Sequence, residues 1–351
     1  MSQQRTPNTT IPVTLIPGDG IGPECVVAAQ RILEAVGAPI DWETHEAGAE
    51  VFKKGLPSGV PADTMDSITR TRVALKGPLE TPIGFGEKSA NVTLRKLFET
   101  YANVRPVREM PGVKTPYSGR DVDLVIVREN VEDLYAGIEY LQTPGVAECL
   151  KLISVKGSEK IVRFAFEYAR AHGRKKVTVG HKANVMRFSD GLFLQTAQIE
   201  AGNFSDIRWE EIQIDHLTSR LARDPSAFDV LLLPNLYGDI VSDLCAGLVG
   251  GLGLIPGANI GWEYAVFEAV HGSAPDIAGQ GLANPIAMIL SGAMLLRHIG
   301  EQAAAENVEW AVDEVLRQGL VRTPDLGGTS STMEVGEAIA AATSHWEHGP
   351  S

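Results

Sequence analysis

Between Ile11 and Ala342 the sequence alternates short apolar runs with stretches of helical periodicity, and this alternation is what most restricts the fold. Strand-like runs occupy residues 11–16, 40–46, 73–78, 102–107, 122–128, 147–155, 177–179, 208–214, 228–233 and 265–270. Helical spacing is expected from the turn near Gly22 to Val36, then over 62–71, 91–101, 157–172, 190–201, 285–300, 303–318 and 334–342. Strands separated by helices imply an α/β fold built on crossover connections. The first strand runs into Gly18-Asp19-Gly20-Ile21-Gly22-Pro23, which tempts a dinucleotide fingerprint. Pro23 occupies the third glycine position, and no acidic residue ends a second strand at the required distance. The stretch is therefore a strand–turn–helix, not a Rossmann phosphate loop.

The most informative segment is 228–243. A buried-strand pattern, Phe228 to Leu233, leads into Pro234-Asn235-Leu236-Tyr237-Gly238-Asp239-Ile240-Val241-Ser242-Asp243. Asp239 and Asp243 stand four apart, so on a helix both carboxylates leave one face. Two adjacent carboxylates repel unless a cation shares their site, and oxygen ligands suit Mg²⁺ or Mn²⁺. An N-cap followed by a solvated helix face explains the same spacing, and spacing alone favours that plainer account.

Arginine supplies the complementary charge. Arg105 and Arg128 each end a strand-like run, and Arg95 lies one turn beyond Asn91 on an expected helix headed by Ser89. As a set they suit a ligand carrying several carboxylates. Lys182, in His181-Lys182-Ala183-Asn184, directly follows a strand; a lysine there can be a surface charge, whereas buried beside a metal its pKa would fall and it could serve as a base. Tyr135, in R-E-N-V-E-D-L-Y-A-G, reads by itself as a half-buried aromatic with a satisfied hydroxyl. Asp215, placed at the end of strand 208–214, is a candidate third metal carboxylate. His271-Gly272-Ser273-Ala274-Pro275-Asp276-Ile277 forms a small-residue loop through which backbone can approach a planar ligand, with His271 able to stack on it.

Thirty-one Lys and Arg against 44 Asp and Glu give a net charge of −13, which argues against nucleic acid as the partner. Cys25, Cys149 and Cys245 form no framework, and the polar residues 1–10 lack an apolar signal core. The apolar runs near 244–255 and 286–296 are short of a membrane span. A soluble, cytoplasmic protein is expected.

In this order, L-I-P-G-D-G-I-G-P-E, R-E-N-x-x-D-x-Y-A-G, H-K-A-N-V-M, N-L-Y-G-D-I-x-S-D and H-G-S-A-P-D-I-A-G resemble the β-decarboxylating dehydrogenases. That family holds the isocitrate, isopropylmalate and homoisocitrate enzymes, and the resemblance runs on to T-P-D-L-G-G at 323–328. It implies a two-domain α/β fold of the isopropylmalate/isocitrate dehydrogenase kind. A discontinuous large domain, 1–100 with 250–351, would lie on the cofactor side. A smaller one, 101–249, would carry the substrate and metal residues, the dimer interface and an interlocking arm near 137–155. The resemblance implies a homodimer with shared active sites, in which Ser89, Asn91, Arg95, Arg105, Arg128 and Tyr135 surround the substrate. Lys182, Asn184 and Asp215 would arrive from the second subunit. Tyr135 and Lys182 would be catalytic, and Asp215, Asp239 and Asp243 would hold Mg²⁺ or Mn²⁺. Thr81, Leu252, His271, Gly272, Ser273, Ala274, Pro275, Asp276, Ile277 and Asn284 would hold the nucleotide.

Two choices within the family have physical grounds. Ser89 and Asn91 stand where isopropylmalate-using relatives carry leucines, so a third carboxylate fits better than an isopropyl group. Asp276-Ile277 replaces the Lys-Tyr of NADP-linked relatives, and a carboxylate accepts bonds from ribose hydroxyls while repelling a 2′-phosphate. The C-terminal T-P-D-L-G-G likewise lacks the Tyr and Arg that those relatives supply to the phosphate. The resemblance therefore implies NAD-dependent oxidative decarboxylation of isocitrate. The alternatives are homoisocitrate, one methylene longer and worth only ~1–3 kcal/mol of discrimination, isopropylmalate, or a non-catalytic regulatory subunit.

Overall fold

The computed structural model describes residues 10–81 and 89–347. Most of the polar start, and most of the Gly/Pro-rich stretch 79–88 that the sequence leaves as a loop between a strand and a helix, lie outside the described residues. The elements run β1 (Ile11–Ile16), α1 (Gly22–Ala35), β2 (Ile40–Thr44), α2 (Ala49–Lys53), α3 (Ala62–Thr71), β3 (Val73–Lys76), α4 (Ala90–Leu97), β4 (Ala102–Arg108) and β5 (Asp123–Glu129). The chain continues with β6 (Glu139–Thr143), β7 (Val146–Cys149), α5 (Val155–Ala171), β8 (Lys176–His181), α6 (Ser189–Ala201), β9 (Arg208–Gln213) and α7 (Ile214–Arg223). It ends with β10 (Val230–Leu233), α8 (Asn235–Val249), β11 (Pro256–Ile260), β12 (Ala265–Ala269), α9 (Ile286–His298), α10 (Gln302–Gln318) and α11 (Thr332–Thr343).

Two compact units result, one gathering the residues up to Thr93 and from Glu263 onward, the other Leu94–Trp262. The sequence places these divisions near 100 and 250; β11 falls in the middle unit because it pairs antiparallel with β4. In the outer unit β2, β1, β3 and β12 lie side by side, all parallel. α1 packs on α9 and α11, burying Cys25, Val26, Ala29, Ile32 and Leu33. Each fully buried leucine or isoleucine there stabilises the unit by ~1.5–3 kcal/mol. α11 is started by a capping box, Ser331 with Glu334.

The Gly18–Gly22 turn is consumed by its own unit. Asp19 Oδ2 accepts the Ala49 and Glu80 backbone N–H groups at 2.9 and 2.7 Å. Gly20 has φ of +59°, and a Cβ on it would lie 1.9 Å from the Ser273 carbonyl oxygen. Only glycine fits, and the turn is wedged against the 271–277 loop instead of forming an open cradle for phosphate.

In the middle unit the order is β11-β4-β5-β10-β8-β9, antiparallel across the first two pairings and parallel across the rest. β10 is buried along its whole length, which explains its unbroken apolar sequence. α5 starts at a Ser154 cap that accepts the Gly157 N–H. Three expectations are corrected here. Residues 147–155 do not form one strand: β6 and β7 make an exposed hairpin about the Thr143–Val146 turn, and helix begins at Val155. Asp215 does not end a strand but lies in the first turn of α7, a helix hidden from the periodicity by its polar face. Arg105 sits inside β4 and not at its end. Among the described residues no helix is long and apolar enough to cross a membrane.

Candidate active site

The middle unit gathers its charged side chains around the first two turns of α8. Register explains why: Arg128 on β5 pairs with Leu233, the last residue of β10, and Pro234 then turns the chain into α8. Arg128 thus meets the start of that helix. Its Nε donates to Asn235 Oδ1 at 3.0 Å and its Nη1 donates to Asp239. Gly238 makes room, since a Cβ there would lie 2.5 Å from Arg128 Cγ. The Arg128 side chain is 1% exposed, yet its Nη2 is buried without a hydrogen-bond partner. Burial and the neighbouring Arg105 and Arg95 charges pull its pKa down to about 10, with Asp239 and Tyr135 opposing. It remains a cation at neutral pH.

Arg105 approaches from β4. Nε donates to Asn103 at 2.7 Å, and Nη1 donates to Ser242 Oγ at 2.6 Å. The same nitrogen lies 3.6 Å from Asp239 and 3.9 Å from Asp243. Tyr135, half-buried in a short 3-10 turn, donates its hydroxyl to Asp239 and lies under the Arg128 guanidinium. Burial first, then this bond to a carboxylate, push the tyrosine pKa up. For Asp239 burial acts upward, but Arg128, Tyr135 and Arg105 outweigh it and hold the carboxyl below its ordinary range. Asp243 moves the other way, raised by burial and by Asp239 despite Arg105. The pair on one helix face is therefore electrostatically linked, with Asp243 the more exposed member.

Lys182, just past β8, and Asp215, in the first turn of α7, form a separate, more exposed ion pair, and Asn184 follows in the exposed turn after Lys182. The bond to Lys182 holds the Asp215 carboxyl below its ordinary range. Among the described residues no three His, Cys, Asp or Glu side chains gather as a metal site, so this one chain does not bring Asp215 to Asp239 and Asp243. Two carboxylates on successive turns still offer only hard oxygen donors and leave coordination positions open for ligand oxygens, which suits Mg²⁺ or Mn²⁺.

The outer unit holds most of the expected nucleotide residues. The 271–277 loop leaves β12 beside a buried Lys76–Glu268 ion pair. His271 Nδ1 lies 3.0 Å from the Gly272 carbonyl, whereas its Nε2 is buried and unpartnered. Desolvation lowers the imidazole pKa, so the ring is neutral. Ala274 takes φ of +39°, an unusual backbone state for a residue with a Cβ. Asp276 is exposed. Asn284 is already committed, donating to Asp325 and accepting the Ile286 N–H at the head of α9, both at 3.0 Å. Thr81 and Asn91 belong to this unit, and Asn91 Oδ1 is another buried acceptor without a partner. Ser89 heads α4, its carbonyl accepting the Thr93 N–H. Leu252 and Arg95 belong to the middle unit.

Asn103, Asn235 and Ser242 escaped the sequence. Only Ser242, three residues past Asp239 and one turn along α8, carried a positional hint.

Comparison with known proteins identifies the family. The family described as isocitrate/isopropylmalate dehydrogenase matches residues 12–339. The chain belongs to that family. It is 58% identical over 330 residues to a Thermus thermophilus protein named isocitrate dehydrogenase [NADP], covering 93% of this chain and 66% of that one. It is 49% identical to an Arabidopsis thaliana mitochondrial isocitrate dehydrogenase [NAD] catalytic subunit, over 94% of this chain and 88% of that one. The crystal structure of isocitrate dehydrogenase from Methylococcus capsulatus superposes with a TM-score of 0.91 at 50% identity, over 95% of this chain and 99% of that one. This family fold, with its large mixed sheet, accounts for the parallel strands that lack a Rossmann phosphate loop.

Proposed function

We propose that this chain catalyses the NAD-dependent oxidative decarboxylation of isocitrate to 2-oxoglutarate and CO₂, with Mg²⁺ or Mn²⁺, as a homodimer with shared sites. The observation that carries the proposal is Arg128: a fully buried guanidinium with one unpartnered nitrogen, fixed beside two carboxylates on one helix face. A buried donor without an acceptor calls for an anionic ligand atom. Arg105 and Arg95 supply further positive charge for a triply charged acid, and Ser89 and Asn91 offer polar partners to its third carboxylate.

Asp239 and Asp243 would hold the metal, with Asp215 of a second protomer as the third carboxylate. When bound, the metal supplies a Lewis acid for the substrate hydroxyl and for the enolate left after CO₂ departs. Asp239 would have to give up its Arg128 contact to hold the metal, and the guanidinium would then be free for substrate. Lys182 from the second protomer, with Asn184 beside it, would take the hydroxyl proton as hydride leaves for the nicotinamide. Tyr135 would return a proton to the carbon that lost CO₂, and its raised pKa keeps it protonated for that step.

The shared-site reading draws support from exposed apolar surface. Phe188 and Val185, beside Lys182, are 94% and 67% exposed, and Leu141 on the β6–β7 arm is 75% exposed. Such groups are suited to burial against another copy. In the domain assignment the outer unit is the cofactor side and the middle unit the substrate side. Thr81, the 271–277 loop and Asn284 of the outer unit would hold the nucleotide, with Leu252 of the middle unit also assigned to it, and Asp276 would favour NAD through its ribose hydroxyls. The NADP-linked name of the Thermus relative makes the second nucleotide the necessary control.

Steady-state turnover of the purified chain tests the proposal, using isocitrate, homoisocitrate and isopropylmalate against NAD and NADP, with Mg²⁺ or with chelator. The highest kcat/KM should fall on isocitrate with NAD and vanish with chelator. No turnover of any acid would favour a regulatory subunit, and preference for another acid or for NADP would reject that part of the proposal.

A further inference from the structure

A second buried charge cluster lies within the middle unit. Asp133 and Asp190 are both 0% exposed, and the Lys151 ammonium stands between them, 3.5 Å from Asp133 Oδ1 and 2.7 Å from Asp190 Oδ1. The Tyr237 ring closes one side, 4.4 Å from the ammonium. A backbone bridge fixes the arrangement, since the Asp133 N–H donates to the Leu152 carbonyl at 2.7 Å and sets Lys151 beside Asp133.

Each carboxylate also grips backbone that leads to a functional side chain. Asp133 Oδ1 accepts the Leu134 N–H at 2.9 Å, capping the turn that carries Tyr135. Asp133 Oδ2 accepts the Leu236 N–H at 2.9 Å, in the first turn of the helix that carries Asp239 and Asp243. Asp190 Oδ2 accepts the Lys182 N–H itself at 2.7 Å. Asp133 is held at φ of +66° and ψ of −149°, a conformation that costs about 1–3 kcal/mol for a residue with a side chain. A simple surface ion pair would need neither that backbone strain nor complete burial.

We propose that Lys151, Asp133 and Asp190 are positioning residues, an ionic hub that holds the backbones of Tyr135, Lys182 and the metal-carboxylate helix in one fixed arrangement. The proposal rests on the catalytic roles given above to Tyr135 and Lys182. Without the ammonium two carboxylates would face each other in the interior, and one would have to take up a proton or move. Either change shifts a segment that leads to a reacting group, and a misplacement of about 1 Å at such a group lowers turnover on the order of 100-fold.

The test compares Lys151→Met and Lys151→Arg with the parent dimer. Calorimetric titration with isocitrate and Mg²⁺ counts competent sites, so that kcat is expressed per site. The deuterium isotope effect on kcat, with isocitrate labelled at the hydride carbon, reports whether the chemical step has slowed. Lys151→Met should lose on the order of 100-fold in per-site kcat, with KM little changed and a larger isotope effect. Lys151→Arg should restore most of the rate, because a guanidinium can bridge both carboxylates. A lower melting temperature with unchanged per-site kcat and isotope effect would make the hub merely structural and overturn the proposal.

If Lys151→Met does not fold, Asp190→Asn decides in the same assays. It keeps an oxygen for the Lys182 N–H but loses the ion pair, and normal per-site values there overturn the proposal equally. Should the parent chain fail to turn over isocitrate, the functional reading falls by itself. Hydrogen exchange at the Lys182 and Leu236 amides then judges the hub: faster exchange in Lys151→Met sustains it, and equal protection removes it.

Discussion

Arg128→Lys keeps the charge and removes the fork, which makes it the sharpest probe of how the site receives an anion. In the parent chain Nε serves Asn235, Nη1 serves Asp239 and Nη2 is left for a ligand. A lysine ammonium on a shorter, rotatable stem can satisfy Asp239, but cannot hold three fixed directions at once. Loss of one charge-assisted bond to the ligand is worth about 1.5–3 kcal/mol, or about 10- to 150-fold in Kd. The orphaned Asn235 oxygen adds about 1–3 kcal/mol of lost stability, independent of ligand. Calorimetric titration of isocitrate with Mg²⁺, at one pH and ionic strength, separates the two effects when paired with thermal melts of the free protein. Both affinity and melting temperature should drop. A variant that melts lower yet binds isocitrate within about twofold of the parent would refute the assignment of Nη2 as the receiving donor, since the predicted loss starts near tenfold.

Gly238→Ala probes the same guanidinium by steric pressure: the new methyl would meet Arg128 Cγ at 2.5 Å, so about 1–3 kcal/mol of overpacking should displace the arginine and weaken isocitrate binding without changing any charge. Unaltered affinity in a folded Gly238→Ala protein would contradict the close fit. For the nucleotide, Asp276→Lys with Ile277→Tyr should lower kcat/KM with NAD and raise it with NADP; an unchanged NAD:NADP ratio would discredit the role of Asp276. Burial raises the Glu129 carboxyl from its ordinary value to about 7, against backbone N–H bonds from Val131 and Glu132. A raised carboxyl pKa means the folded state holds the proton more tightly, so this contribution to stability is present below the unfolded pKa and is lost as pH rises toward 7. The melting-temperature difference between Glu129→Gln and the parent should therefore shift in favour of the variant from pH 5 to pH 8, and a pH-independent difference would show that Glu129 does not titrate there.

Much of the strand–helix order is legible because local pattern and tertiary burial agree. The run at 230–233 is apolar at every position because both faces of its sheet are covered, and α1 follows its strand where Gly22 and Pro23 permit it. Legibility fails where an element is short or solvated. α7 has only Leu217 and Leu221 buried, so its polar face resembled a loop and misplaced Asp215. β11 lies within a glycine-rich stretch and takes its identity from pairing with β4, which no local window contains. In the arm, both strands are exposed and carry little hydrophobic pattern.

The site divides in the same way. Arg128 stood out because charge at the end of a buried run is rare without a partner; Asp239 stood out through its spacing to Asp243, although spacing alone favoured a solvated helix face. Asn235 and Asn103 did not, because an amide acquires its role only from the guanidinium that register brings to it. The hub was illegible for the same reason: Asp133, Lys151 and Asp190 are scattered along the chain and look like surface charges until the backbone bridge at Leu152 sets Lys151 beside Asp133 and its ammonium reaches Asp190.

The account turns on a divalent ion and a tricarboxylic acid meeting at α8 between two copies of the chain. Anomalous scattering from crystals grown with Mn²⁺ and isocitrate tests this most directly. The manganese peak should lie within coordination distance of Asp239, Asp243 and a second protomer's Asp215, with a substrate carboxylate on Arg128 Nη2. A peak elsewhere, with Asp239 still bound to Arg128 and no acid at the guanidinium, would contradict it.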